Sequence, residues 1–251
     1  MTRSSTTIEQ VLEMARRGHS ASAIARLTGI PRSSIRDWLA GRLPRGRVGG
    51  AGSCSRCGAD EHAYDDLPQE YVYLLGLYLG DGCIATHPRN VYRLRIFLDM
   101  KYPGIIDECA AAMATVAPAN RTHRLTRRYN DVEVSSFSKS WPCWLPQHGP
   151  GKKHLRSITL LTWQQELVNR WPEYLLRGLI HSDGCRFQNT GRGGWSHPRY
   201  CFTNLSADIK GIFCDACDRL GLRWTRAGST TIYVSRKADV AVLDRYVGPK
   251  R

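Results

Sequence analysis

Apolar positions are arranged differently in three stretches of the chain. Residues 1–48 alternate with a helical period. In "TIEQVLEMARRGHS", Ile8, Val11, Leu12 and Ala15 share one helical face, with Thr7 as a plausible N-cap and Gly18 as a stop. "SASAIARLTG" predicts a short second helix closed by Gly29. "IPRSSIRDWLAG" predicts a third, with Pro31 in its first turn and Gly41 at its end. Residues 49–66, "GGAGSCSRCGADEHAYDD", are Gly-rich and polar and predict a connector. Residues 67–251 hold the longest apolar helices and the strands, and form the bulk of the protein.

Within that bulk the pattern occurs twice. "LLGLYLGDG" at Leu74–Gly82 is matched by "LRGLIHSDG" at Leu176–Gly184, and both are apolar helices that end in Asp-Gly. Each is followed by Cys, a polar hairpin, an aromatic-rich strand ("RLRIFLDM" or "RYCFTNLS"), an amphipathic helix, a second hairpin and a final helix. The predicted order is α-β-β-α-β-β-α, twice, over repeats of about residues 67–147 and 162–248. A duplication of this size implies an α+β molecule with a pseudo-two-fold axis. Such symmetry suits duplex DNA, whose backbones are related by local two-folds.

Composition sharpens this. The chain has 251 residues, 42% of them hydrophobic, and a formal charge of +14. It can bury a core, and its charge favours polyanionic partners, nucleic acid first. Ten basic and only four acidic residues lie in residues 1–60. No apolar run reaches the roughly 18 residues of a membrane span, and "MTRSSTTIEQ" lacks the apolar core of a secretory signal. Nine irregularly spaced cysteines read mostly as reduced core residues, Cys214 and Cys217 among them. A cytoplasmic location is expected, nucleoid-associated if the source is bacterial. Cys54 and Cys57 form a CxxC pair able to give zinc two thiolates, with His62 a candidate third ligand.

The repeated helix also has a chemical logic. Gly76 and Gly80 lie four apart on one face, as do Gly178 and Ser182. Small residues at that spacing let two helix backbones approach closely. Asp81 and Asp183 would then meet, each at the negative end of a helix dipole, and two adjacent carboxylates repel. A hard cation relieves both effects. Mg²⁺ favours one or two carboxylates with waters and phosphate oxygens.

The two segments resemble the LAGLIDADG motifs of homing endonucleases, and the order of elements matches that family over roughly residues 67–248. The resemblance implies metal-dependent double-strand cleavage of an asymmetric DNA target by a monomer. Mg²⁺ or Mn²⁺ would be held by Asp81 and Asp183. The family's first Asp position is Leu79 in one copy and His181 in the other, which is not the metal position. A family lysine near the last strand suggests Lys139, matched in the second half by Arg236 or Lys237. "SASAIARLTGIPRSSIRDWLAG" resembles the helix-turn-helix of transposases and resolvases, which would present Arg32, Ser33, Ser34 and Arg36 to the major groove, with Ile35 and Trp38 in its core.

DNA contacts are expected from the hairpins. They are Arg89, Asn90, Tyr92, Arg93 and Arg95, flanked by Arg124, Arg127, Arg128 and Tyr129. In the second half they are Arg186, Gln188, Asn189, Arg192 and Arg199, flanked by Arg223, Thr225 and Arg226. Strand alternation sends only every second one to the DNA. Lys152 and Lys153, in the segment between the repeats, are expected on backbone phosphate. The absence of flanking splicing-domain sequence argues against an intein. A maturase is a variant of the same reading. The rival class is a non-catalytic transcriptional regulator built on the same fold.

Overall fold

The computed structural model describes residues 5–41, 54, 56–59, 62–128, 130–191, 193–248 and 250. The chain divides into two compact units, residues 1–61 and residues 62–251. The division falls inside the connector.

The first unit has three helices, α1 (Ser5–Arg16), α2 (Ala21–Thr28) and α3 (Arg32–Leu39). Val11, Ile24, Ile30, Ile35 and Trp38 form its core, joined by Ile8, Met14 and Ala15. Met14 therefore takes the packing place expected of Leu12. Thr7 lies inside α1 rather than at its N-cap, because the helix begins at Ser5. The side chain of Ser20 caps α2 by accepting from the Ala23 N–H at 3.2 Å, and Gly29 closes it at φ +66°. Pro31 precedes α3 as its N-cap instead of sitting within its first turn.

The second unit contains the duplication. Its first half runs α4 (Gln69–Asp81), β1 (Gly82–His87), β2 (Val91–Asp99), α5 (Pro103–Val116), β3 (Thr122–Thr126), β4 (Asp131–Ser138) and the short α6 (Trp141–Trp144). After α7 (Thr162–Arg170) come α8 (Pro172–Asp183), β5 (Gly184–Thr190), β6 (Ser196–Thr203), α9 (Ala207–Arg219), β7 (Trp224–Ala227), β8 (Thr231–Val234) and α10 (Lys237–Tyr246). Each half has a four-stranded antiparallel sheet, ordered β1-β2-β4-β3 and β5-β6-β8-β7.

One core serves both halves. Tyr71 to Leu79 of α4 are buried without interruption, which is why that helix reads as apolar all round. Each sheet turns one face to the helices. Leu94, Ile96, Leu98, Val132 and Val134 line that face in the first sheet, and Tyr200, Phe202, Ile232 and Val234 in the second. Residues of opposite parity point to the other, open face.

Candidate active site and sheet surface

The two motif helices touch through glycine. A Cβ on Gly76 would lie 2.7 Å from the Leu175 carbonyl and 2.9 Å from the Gly178 Cα. One on Gly178 would lie 3.0 Å from the Leu77 nitrogen. One turn further, Gly80 packs on Ser182, and a Cβ there would come within 3.1 Å of an Asp183 carboxylate oxygen. The close approach thus brings the C-terminal ends of α4 and α8 together, with Asp81 and Asp183 on them.

The glycine after each aspartate is not a left-handed helix cap. Gly82 has φ −95° and Gly184 has φ −117°, both extended. A Cβ on Gly82 would sit 2.7 Å from Ile96 Cδ1, and one on Gly184 2.7 Å from the Cys201 carbonyl. The glycines are there because the helix turns directly into a strand lying against its own sheet.

Both carboxyls resist ionisation. Burial, and then the charge of Asp183, push the Asp81 pKa up to about 6. Asp183 is also raised by burial, opposed by Asn204, whose Nδ2 donates to its Oδ2 at 2.6 Å. The positive charges that act on both are Lys153 and Lys250. The Lys153 ammonium donates to the carbonyls of Tyr78, Gly80 (2.8 Å) and Gly82 (2.8 Å), capping α4. Lys250 donates to the Ser182 carbonyl at 3.2 Å, at the end of α8. Burial lowers the pKa of Lys153 to about 8 and lowers that of Lys250 as well.

Lys153 is therefore committed to carbonyl oxygens beside the carboxylates, not to the surface position expected of it. The segment carrying it is anchored to α4. Gln147 donates to the Thr159 carbonyl (2.8 Å) and to Gln164 (2.6 Å), Gln164 donates to the Tyr71 hydroxyl (2.7 Å), and Tyr71 donates to the Trp144 carbonyl (2.6 Å). Lys139, Arg236 and Lys237 are exposed at strand ends, and none of them acts on Asp81 or Asp183. Lys153 and Lys250 share a sequence context. Gly149-Pro150-Gly151-Lys152-Lys153 follows the first repeat, and Gly248-Pro249-Lys250 the second.

Leu79 and His181 lie in the core, away from the carboxylates. The Tyr73 hydroxyl is 2.9 Å from His181 Nδ1, and burial drives that imidazole to a pKa of about 3, so it is neutral. Arg177 beside it binds Glu108 in a two-pronged ion pair at 2.6 and 2.8 Å.

The arginines divide by strand parity. On the open face of the first sheet, Arg93, Arg95 and Arg127 converge on Glu133 at 2.7, 2.6 and 3.4 Å. Glu133 is only 1% exposed. Its carboxyl is held below its usual range, first by the Arg95 hydrogen bond. Arg124 points the other way and pairs with Asp107 of α5. Tyr92 packs on the helix side against His148. Arg89 and Asn90 are exposed at the hairpin tip in left-handed conformations, at φ +65° and +56°, and Arg128 is exposed. On the second sheet the open face carries Asn189 and Arg199, the latter over the Tyr233 ring at 4.9 Å. Arg186 turns to the helices, bound to Asp244 at 2.7 and 2.9 Å, and Gln188 accepts from Ser196. Arg226 lies over Trp224, and the exposed Arg223 gives its backbone N–H to Asp239. Arg192 and Tyr129 lie outside the described residues. Lys152 is exposed, as are Arg32, Ser33 and Arg36 of α3, with Ser34 half-buried.

In the first unit Cys54 to Ala59 make a tight turn. The Cys54 N–H donates to the Ala59 carbonyl (2.7 Å), the Gly58 N–H to the Cys54 carbonyl (2.8 Å), and the Ala59 N–H to Cys57 Sγ (3.5 Å). Gly58 turns the chain at φ +79°. In the second unit His62 stacks on Tyr64. Cys214 and Cys217 are buried in α9.

A duplicated α-β-β-α-β-β-α unit, with two motif helices packed at the pseudo-two-fold and an acid at the end of each, defines the LAGLIDADG fold. Comparison with solved structures gives the same fold. The I-DmoI G20S variant, solved with its target DNA in the presence of Mg, matches over 73% of this chain and 97% of its own, with a TM-score of 0.50 at 14% identity. The LAGLIDADG meganuclease I-AabMI, bound to uncleaved DNA, matches over 70% and 82%, with a TM-score of 0.45 at 13% identity. The N-terminal LAGLIDADG domain of DUF199/WhiA matches over 73% and 84%, with a TM-score of 0.42 at 11% identity. No family model and no curated protein sequence matches the chain. Among the described residues no helix is long and apolar enough to cross a membrane.

Proposed function

We propose that the protein is a site-specific DNA endonuclease that makes metal-dependent double-strand cuts in an asymmetric duplex target, acting as a monomer. The observation that carries this is the pair Asp81 and Asp183, both half-buried and both held above their usual pKa at abutting helix ends. Two hard oxygen donors forced together against their own charge suit Mg²⁺ or Mn²⁺. A cation bound there would activate water and draw charge from a phosphate oxygen.

The rest of the reading concerns the chain's own side chains. Lys153 and Lys250 hold the helix ends and offset the carboxylate charge, which keeps the acids in place for a cation and a phosphodiester. The open sheet faces read the target. Arg93 and Arg95 are of the type that suits guanine, which they would reach by exchanging part of their pairing with Glu133, and Asn189 is of the type that suits adenine. Arg89, Arg128, Lys139, Lys152, Arg223, Arg236 and Lys237 are exposed charges suited to the phosphate backbone, and the half-buried Arg199 lies beside them in this reading. The two halves present different residues, which favours an asymmetric target. In the first unit the exposed Arg32, Ser33 and Arg36 of α3, with the half-buried Ser34, support a helix-turn-helix module that holds DNA through these residues. Cys54 and Cys57 support a structural zinc site, the Ala59 N–H to Cys57 Sγ bond being the kind that stabilises a thiolate.

The test is cleavage of a randomised plasmid library by wild type, Asp81→Asn and Asp183→Asn, in Mg²⁺ and in EDTA. The expected result is double-strand cuts by wild type in Mg²⁺ only, lost in both variants. Sequence-specific binding by all three without cutting in any metal would overturn the enzyme and leave a DNA-binding regulator. Zinc is tested by metal content per chain, before and after Cys54→Ser with Cys57→Ser. Repeating it with each remaining cysteine replaced identifies any other thiolate ligand, and an unchanged metal content would remove the site.

A further inference from the structure

The open face of the second sheet carries a pair of thiols that the nuclease reading does not use. Cys185 of β5 and Cys201 of β6 are directly opposed in the antiparallel register. Their sulfurs are 3.0 Å apart. Cys185 is exposed and Cys201 half-buried. Opposed residues in such a ladder have Cα atoms about 4.5–5.5 Å apart, within the 4.4–6.8 Å that a disulfide spans. The backbone is thus already placed for a bond between them.

The related position in the first repeat differs. Cys83 also follows the Asp-Gly of its motif and is exposed on its sheet, but its partner across the register is Arg95. The duplication therefore supplies an internal control, one exposed cysteine with a thiol opposite and one without. The buried Cys109, Cys143, Cys214 and Cys217 sit within helices α5, α6 and α9.

We propose that Cys185 and Cys201 form a reversible disulfide, a modification site on the open sheet face two residues beyond Asp183. The oxidant is a hydroperoxide such as hydrogen peroxide. The accessible Cys185 sulfur attacks the near peroxide oxygen, the O–O bond breaks, and the departing oxygen leaves as water with the thiol proton, giving a sulfenic acid. The Cys201 sulfur then attacks the Cys185 sulfur, the S–O bond breaks, and a second water carries away the Cys201 proton. Two thiols and one peroxide become one disulfide and two waters. A dithiol reductant reverses it by exchange. The bond staples β5 to β6 beside Tyr233, which stands opposite Cys201 on β8, and next to the Phe187 and Arg199 pair on the same face.

The inference stands on the thiol geometry and not on the nuclease reading, and its readout is chemical. The full-length protein, natively folded, is treated with hydrogen peroxide, alkylated, digested and mapped by mass spectrometry. The expected result is a dithiothreitol-sensitive cross-linked peptide joining Cys185 to Cys201, with two of the nine thiols lost. Cys201→Ser should leave Cys185 as a sulfenic acid trapped by dimedone, and Cys185→Ser should leave Cys201 alkylated as in untreated protein. Alkylation of Cys185 at the same rate as Cys83 after peroxide, or conversion of Cys185 to a sulfinic acid while Cys201 stays free, would overturn the proposal.

Discussion

Replacing Asp81 by asparagine should stabilise the metal-free protein at neutral pH. The carboxyl titrates at about 6 in the folded chain instead of its usual 3.8. A folded-state pKa above the unfolded one means that the folded chain binds the proton more tightly. Stability at this residue is then greatest with the acid protonated, falls as pH rises from about 4 to 6, and stays low above that. Two pKa units at about 1.4 kcal/mol each give roughly 3 kcal/mol of cost at pH 7.5. Asparagine keeps the shape without the charge, so it removes most of that cost. With about 2–4 °C of Tm per kcal/mol in a chain of this length, the gain is roughly 6–12 °C.

The assay is thermal and urea unfolding in EDTA at pH 7.5 and pH 4.5. Six of the seven tryptophans, from Trp141 onward, report on the second unit. Subtracting the two proteins at each pH cancels the titrations that Asp81 does not touch, including that of Glu133, whose lowered pKa adds stability above the ordinary carboxylate range and loses it on acidification. The Asp81→Asn gain should shrink from pH 7.5 to 4.5. In Mg²⁺ the order should reverse, because wild type gains binding free energy that the variant lacks. An equal or lower Tm for the variant in EDTA at pH 7.5, or a gain independent of pH, would show that Asp81 is not held against its charge.

Three further outcomes follow from the same contacts. Gly178→Ala places a Cβ 2.9 Å from the Gly76 Cα and should cost about 1–3 kcal/mol, whereas Gly211→Ala in α9, with nothing within 4 Å, should gain up to about 1 kcal/mol; urea midpoints compare them, and equal signs would contradict the helix contact. Lys153→Met removes a charge that lowers the Asp81 pKa, so that pKa should rise above about 6 in carboxyl carbon NMR titrations of metal-free protein. Glu133→Gln leaves three arginines facing one another and should destabilise the fold by about 1–3 kcal/mol by urea unfolding at pH 7.5; no change would mean that those ion pairs contribute little.

The duplication, the element order and the two aspartates were legible because each is local in sequence. A motif helix and its Asp-Gly end occupy nine residues, and the repeat can be found by aligning them. The basic partners were not. Lys153 reaches carbonyls more than 70 residues away, and Lys250 one that is 68 residues away. Only the fold reveals those distances, although the Gly-Pro that leads into each lysine marked both places. The arginines were legible as a class but not by direction. Arg186 and Arg124 face the helices by strand parity, opposite Tyr200 and Val134, and meet Asp244 and Asp107 there. Arg93 and Arg95, two residues apart, share the open face. A carboxylate 38 residues beyond Arg95 draws them together.

The two features that make the site are not separable. Glycine at 76 and 178 is needed for the backbones to touch, and the touching is what drives the carboxylates together. Any side chain that relaxed the crowding would widen the helix contact, and any contact tight enough for one shared core must crowd the acids unless they are neutralised. Lys153 and Lys250 answer part of this, yet their own charges are disfavoured there, since burial lowers the pKa of each. The two lysines are thus held where burial disfavours their charged form, as the two carboxyls are. The site therefore gathers four ionisable groups, none of whose charged forms burial favours. On the proposed reading, a divalent cation held by Asp81 and Asp183 would relieve the repulsion between them and supply hard-cation chemistry to a phosphodiester. A clamp that only held DNA would gain stability by giving up either acid, and the Asp81→Asn measurement reads the size of that gain.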